Sequence, residues 1–310
     1  MKSELTEALG IEFPLILGPM RLITLGSMAA AVSKCGGLGQ IASSGLPLPQ
    51  LRKEIAKARE LTDKPIGVNI PLHRPNALEI LQIASEMGVK VVTTGGGNPT
   101  GIMGPARNLG IKILHKVSTV ETGLKAQEAG VFGIIGMGFE AGGHTGTSQV
   151  TTLCLIPSLT DKLDIPVIAA GGIVDHRGFL AALALGAAGV EVGTRFLASR
   201  ECNIPLYYKE AILKASETGT VVVGDGVMRL RILRNRAAES MGKGNRDKNT
   251  EHRLLDYSEE EADMESVIMP AGQGAGLINS ALSIREIISE FVDRSRDLSA
   301  EINHYLENNQ

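Results

Sequence analysis

The residues from Gly138 to His144, Gly-Phe-Glu-Ala-Gly-Gly-His, join an ionisable imidazole to glycines that let the backbone approach a ligand closely. They follow the apolar run Phe132 to Gly136, which reads as a short buried strand. The Gly/Ser/Thr-rich stretch Thr145 to Gln149 comes next and reads as a loop. An imidazole titrates near neutrality, so His144, just past a strand end, is a candidate general acid or base. A histidine that only hydrogen-bonds within a turn is the competing reading. Glu140, Ala141, Gly142 and Gly143 share the loop and count as candidate ligand-lining residues.

Two further glycine turns stand out. Ala169-Ala-Gly171-Gly172-Ile-Val-Asp175 and Val192-Gly193-Thr194-Arg-Phe196 each follow an apolar run and open a helical stretch. Exposed backbone N–H groups at a helix N-terminus suit a phosphate without any lysine, and the Thr194 hydroxyl adds a donor. Glycines serving only tight turns are the alternative; the same pattern in both loops favours the phosphate. A ring system reaching from there across to the first, third and sixth strands describes flavin mononucleotide (FMN). Pro19 and Met20 would pack on the ring, with Gly18 of the same turn also binding the cofactor; Asn69 would meet the isoalloxazine edge, and Lys116 would bring positive charge near N1. No G-x-G-x-x-G follows the first strand, which leaves a Rossmann site unsupported. A non-redox barrel holding a phosphorylated metabolite through the same turns is a further alternative.

The elements that must position these residues alternate strictly. Expected strands run over 13–17, 37–41, 65–69, 89–93, 112–117, 132–136, 166–170 and 189–192. Expected helices between them run over 27–35, 49–61, 76–87, 105–109, 119–129, 153–163 and 175–185, with Ser118 or Thr119 and Asp175 as caps. Strands separated by helices imply parallel pairing with right-handed crossovers. Eight such units point to a TIM (β/α)8 barrel, with an open doubly wound sheet as the alternative. Active sites of that barrel lie at the C-terminal strand ends, where all the residues named above fall.

After about Asn203 the rhythm stops. Residues 206–215 read as a helix, 221–235 as a basic stretch whose Arg229, Arg231 and Arg234 are surface or salt-bridged residues, and 242–263 as a charged, solvated loop. A final amphipathic helix is expected over 283–297. The division is thus a barrel over 1–205, closed by part of the later chain, and an appended, mostly helical subdomain over 206–310.

The chain has 310 residues, 43% hydrophobic and 21% charged, with a net charge of −3, an ordinary globular profile. A slightly acidic balance, 3% aromatic residues and no Trp count against nucleic acid as the main ligand. The three cysteines, Cys35, Cys154 and Cys202, have neither disulfide-framework nor metal-ligand spacing, and Cys154 reads as a core thiol of a buried helix. The N-terminus lacks an apolar signal core and no run spans a bilayer, so a cytoplasmic protein without a membrane partner is expected.

Gly138-Phe-Glu-Ala-Gly-Gly-His-Thr-Gly146, Pro166 to Ile173, Gly186 to Phe196, Ala271-Gly-Gln-Gly-Ala-Gly276 and Pro14 to Met20 resemble the nitronate monooxygenase / 2-nitropropane dioxygenase family. That superfamily is shared with the FMN-dependent enoyl-ACP reductase. The resemblance implies an FMN-binding barrel, with His144 at the position of the catalytic histidine. Gly171, Gly172, Gly193 and Thr194 match the phosphate-binding positions, Met20, Asn69 and Lys116 the flavin-lining ones, and Gln273 lies in the last motif. It implies oxidation of a nitronate through flavin and O2, with a small-molecule substrate and a homodimer left open. The runner-up is NAD(P)H-driven reduction of an enoyl thioester or a quinone. An inosine-monophosphate dehydrogenase-like barrel would need a nucleophilic Cys in a Gly-rich loop, which Cys154 does not supply.

Overall fold

The computed structural model describes residues 1–226, 229–242 and 264–308. The strands in chain order are β1 (Leu15–Leu17), β2 (Gly39–Ala42), β3 (Ile66–Pro71), β4 (Val91–Gly95), β5 (Lys112–Val117), β6 (Gly133–Met137), β7 (Gly143–His144), β8 (Val167–Ala170), β9 (Gly189–Val192), β10 (Thr220–Val223) and β11 (Leu230–Leu233). All but β7, β10 and β11 form one parallel sheet in the order β1-β9-β8-β6-β5-β4-β3-β2. Its two ends meet: Leu17 N donates to Leu38 O at 2.9 Å and Leu38 N to Leu15 O at 2.8 Å, which closes the TIM barrel.

Alternation along these strands divides the core. Leu17, Ile41, Val68, Val92, Ile113, Ile134 and Val190 pack outward with the helices. Ile16, Leu38, Val91, Leu114, Ile135 and Ile168 form a separate apolar cluster with Leu5 and Leu9 of α1 (Glu4–Leu9), which plugs the N-terminal end of the barrel. Ser3 caps α1 in a capping box with Thr6, so the plug starts at a fixed residue. Burying Leu5 and Leu9 contributes about 1.5–3 kcal/mol each as an upper bound.

The crossover helices are α2 (Gly26–Lys34), α3 (Leu48–Leu61), α4 (Ala77–Glu86), α5 (Thr100–Asn108), α6 (Val120–Ala129), α7 (Thr152–Thr160) and α8 (His176–Ala184), with short α9 (Thr194–Leu197) after β9. The Thr119 and Asp175 side chains cap α6 and α8 as expected. The α5 helix starts five residues earlier than the sequence suggests, because Gly101, Gly104 and Pro105 hide its helical character. The ring of helices is completed by the C-terminal helix Ile284–Glu307, which packs on α8, α2 and α9 and runs ten residues beyond its expected end.

Two expectations fail. Cys154 is exposed, not a core thiol, because α7 turns Leu155, Ile156 and Leu159 inward and Leu153 and Cys154 to solvent. The basic stretch is also a structural element: β10 and β11 form an antiparallel pair extended by β7, with Arg231 only 5% exposed. The later chain also supplies α10 (Leu206–Leu213) and α11 (Arg236–Gly242). The expected charged loop over 242–263 lies almost wholly outside the described residues. Among the described residues no helix is long and apolar enough to cross a membrane.

Candidate active site

The C-terminal ends of β1 and β9 meet at their glycines. Gly18 N donates to Val192 O at 2.7 Å, and a Cβ on Gly18 would stand 3.1 Å from Gly193 Cα. Gly171 and Gly172 are left-handed, with φ of 104° and 73°, a conformation few other residues adopt. A Cβ on Gly171 would meet Gly138 O at 3.0 Å, which brings the loop after β6 against the turn after β8. Gly193 differs from the rest: nothing lies within 4 Å of its missing Cβ, and it directly precedes α9. Gly193 thus leaves room beside its backbone, whereas the Cβ position of Gly171 is already crowded by the loop after β6.

The segment after Pro270 is laced over this corner. Tyr208 Oη donates to Pro270 O at 2.6 Å, Gly272 N to Thr194 Oγ1 at 2.9 Å and Gln273 N to Glu140 O at 2.8 Å. A Cβ on Gly142 would lie 2.6 Å from Ala271 C, so the Gly138–His144 loop is seated on that segment. The structure therefore brings Gly18, Gly142, Gly171, Gly172, Gly193, Thr194 and Gln273 together, although Gln273 itself is exposed. Ala141 lies in the same turn, its N–H on Gly138 O. The Glu140 carboxylate accepts from Thr152 N at 2.9 and 3.0 Å, holding the first turn of α7, while Thr152 Oγ1 donates to Gly171 O at 2.9 Å.

His144 lies on β7, opposite Leu230 of β11, and is exposed. The next residue is tied down as well, with Thr145 N donating to Arg229 O at 3.3 Å. Behind this strand, Arg231 grips the loop: Nε and Nη2 donate to Phe139 O at 3.2 and 3.1 Å, Nη1 donates to Thr220 Oγ1 at 3.2 Å, and the guanidinium lies 4.9 Å from the Phe139 ring centre. Burial draws the Arg231 pKa below its ordinary value, with the negative charge of Glu140 pulling the other way. The sequence suggests a surface or salt-bridged place for this residue; instead it is buried, and its partners are a backbone carbonyl, a hydroxyl and a ring.

The second group of predicted residues, Asn69 and Lys116, lies in a polar layer above the apolar barrel interior. Asn69 Nδ2 donates to Thr93 Oγ1 at 3.0 Å, Thr93 Oγ1 donates to Gln40 Oε1, Gln40 Nε2 donates to Glu191 Oε2 at 3.2 Å, and Lys116 Nζ pairs with Glu191 Oε1. Met20 and Pro19 follow β1 half-buried, the Met20 N–H held by Thr24 Oγ1 at 3.0 Å. Gln40, Thr93, Glu191 and Arg231 were not among the expected site residues. The signal for the first three was present: a polar side chain in the middle of an otherwise apolar strand. His115, next to Lys116, faces the helices instead and bonds Thr94 Oγ1 at 2.8 Å; burial lowers its pKa to about 4.

Glycine turns and a polar layer gathered at one mouth of a parallel barrel define an α/β-barrel enzyme. A sequence model of the nitronate monooxygenase family matches residues 2–294, so the chain belongs to that family and is an oxidoreductase. Over 251 residues it is 36% identical to the (3aS,4S,5R,7aS)-5-hydroxy-7a-methyl-1-oxo-octahydro-1H-indene-4-carboxyl-CoA dehydrogenase of Mycobacterium tuberculosis, covering 79% of this chain and 70% of that one. A probable nitronate monooxygenase of Staphylococcus aureus is 33% identical, with 78% and 81% covered. The solved structure of FabK from Thermotoga maritima superposes with a TM-score of 0.92 at 37% identity, over 98% of this chain and 99% of that one.

Proposed function

We propose that the protein is an FMN-dependent oxidoreductase that oxidises a nitronate, with His144 as its acid/base. The observation that carries this reading is the open backbone at Gly193, flanked by the left-handed Gly171–Gly172 turn and facing the same mouth as the Asn69–Lys116 layer. Gly171, Gly172, Gly193 and Thr194 would hold the phosphate by backbone N–H and hydroxyl donors. Met20, Asn69 and Lys116 would face the ring. Once bound, FMN supplies a two-electron acceptor that O2 can reoxidise. His144 would take the proton of a neutral nitroalkane or hydrogen-bond the anionic nitronate, on a loop that Arg231 and the 270–273 segment keep in one place. Preorganisation of this kind lowers the barrier because the imidazole needs no search for its position.

A second reading keeps the FMN and draws electrons from NAD(P)H to reduce an enoyl thioester or a quinone, His144 giving the proton. The 36% identity to a relative named for a carboxyl-CoA substrate favours it. Anaerobic mixing separates the two. Bleaching of the flavin by a nitronate and not by NADH or NADPH supports the first, the reverse supports the second, and no bleaching by any of them rejects both.

A further inference from the structure

We infer that Glu191 sets the charge of the flavin site by pairing with Lys116, an inference that rests on the FMN reading above. Lys116 alone would put a full positive charge at the barrel mouth. The structure instead gives it a carboxylate partner: Lys116 Nζ is bonded to Glu191 Oε1, the lysine side chain 19% exposed and the glutamate 4%. A buried pair of this kind is held by the other bonds of its members. Here they run in one direction across the barrel. The Asn69 atom facing the Thr93 carbonyl at 3.4 Å must be its NH2, because a carbonyl cannot donate, and the same NH2 bonds Thr93 Oγ1. Thr93 then gives its hydrogen to Gln40 Oε1, which leaves the Gln40 NH2 to bond Leu17 O at 2.5 Å and Glu191 Oε2 at 3.2 Å.

Two consequences follow from that direction. The chain ends in the Asn69 Oδ1 acceptor on one side and the spare Lys116 N–H donors on the other, which matches a ring edge carrying an N–H at one place and carbonyl and imine acceptors beside it. The layer also carries no net charge, since Glu191 cancels Lys116 within hydrogen-bond distance. Gln40, Thr93 and Asn69 add only dipoles. Glu191 is thus a positioning residue: it is almost wholly buried and is bonded to Lys116 and Gln40. It fixes where the ammonium stands and how much positive potential an anionic reduced ring would feel.

Sulfite affinity of the FMN-loaded full-length protein tests this. Sulfite adds its lone pair to flavin N5, and the negative charge moves to the N1–C2 carbonyl region, so the dissociation constant reports the local potential without turnover. Glu191→Gln keeps the acceptor for Lys116 Nζ, gives up the bond from Gln40 Nε2 because an amide NH2 cannot accept, and removes the negative charge; it should bind sulfite about tenfold more tightly or better. Lys116→Met should bind it about tenfold more weakly, and the double variant should return close to wild type. A purely structural role for the pair predicts loss of thermal stability with no opposed shifts in sulfite affinity. Equal sulfite affinities for wild type and Glu191→Gln, both with FMN bound, overturn this inference alone. If Glu191→Gln fails to hold FMN, an unchanged affinity in Lys116→Met overturns it. A wild-type chain that takes up no FMN overturns the flavin reading and this inference together.

Discussion

Thr194 Oγ1 accepts a 2.9 Å hydrogen bond from Gly272 N, fastening the turn after the last barrel strand to a segment 78 residues away. That bond uses a lone pair of the hydroxyl and leaves its hydrogen able to donate. Beside it Gly193 has φ −107°, which any residue tolerates, and open space where a Cβ would go. Gly193→Asp should therefore fold with an unchanged apo melting temperature, yet place a carboxylate against the proposed phosphate. FMN affinity should fall by about tenfold or more. Equilibrium dialysis checks it; an unaltered flavin content would put the phosphate elsewhere.

His144→Ala should keep FMN bound and lower turnover by about a hundredfold or more, the scale of a lost acid/base. The side chain is exposed on a two-residue strand, so truncation leaves the core untouched. The pH profile is the sharper readout: the limb belonging to the imidazole should disappear. Full activity in the variant would remove His144 from the chemistry.

Arg231 bonds Phe139 O twice and stacks on its ring, so Arg231→Met strips the loop of its support and leaves a carbonyl short of a donor. The expected loss is about 2–3 kcal/mol of stability. Because the same loop carries His144, turnover should fall further than FMN affinity. Arg231→Lys keeps the charge without the fork and should recover only part of both. Chemical unfolding and steady-state kinetics of the three proteins decide this; equal kcat values would show that the clasp does not position the loop.

Most of the barrel was legible because β-α alternation is a local signal: β5 and β9 fall where the apolar runs put them, and Asp175 caps α8 as its type and position require. The glycine turns were legible for the same reason, since left-handed backbone leaves a mark on composition. What stayed hidden depends on pairing between distant segments. Val221 to Asn235 forms strands through its partners, Arg231 against Gly143 and Ile232 beside Pro270, and no periodicity within the stretch reveals this. Cys154 misled because two apolar neighbours suggested burial, whereas the phase of α7 faces it outward. Glu191 was overlooked although a lone acid in a buried strand calls for a partner, and that partner, Lys116, is 75 residues away.

His115 gives a pH prediction independent of any ligand. Its pKa falls from 6.5 to about 4 in the folded protein, by burial. Between those values the unfolded chain binds a proton that the native one refuses, so stability rises with pH across this window and is lost on acidification. The contribution is about 3 kcal/mol over the whole span. Melting of the wild type should therefore drop between pH 6.5 and 4, and a His115→Gln protein should show a flatter profile. Parallel slopes for the two proteins would mean that His115 is not buried neutral.

The central claim is that the turns at Gly171–Gly172 and Gly193–Thr194 hold FMN with its ring over the Asn69–Lys116 layer. The most direct measurement is the visible spectrum of the full-length protein after incubation with FMN and exhaustive dialysis, followed by anaerobic addition of substrate. Retention of the oxidised-flavin band near about 450 nm, and its bleaching by a nitronate, is the predicted result. A protein that emerges colourless from dialysis, with FMN recovered quantitatively outside the membrane, would contradict it.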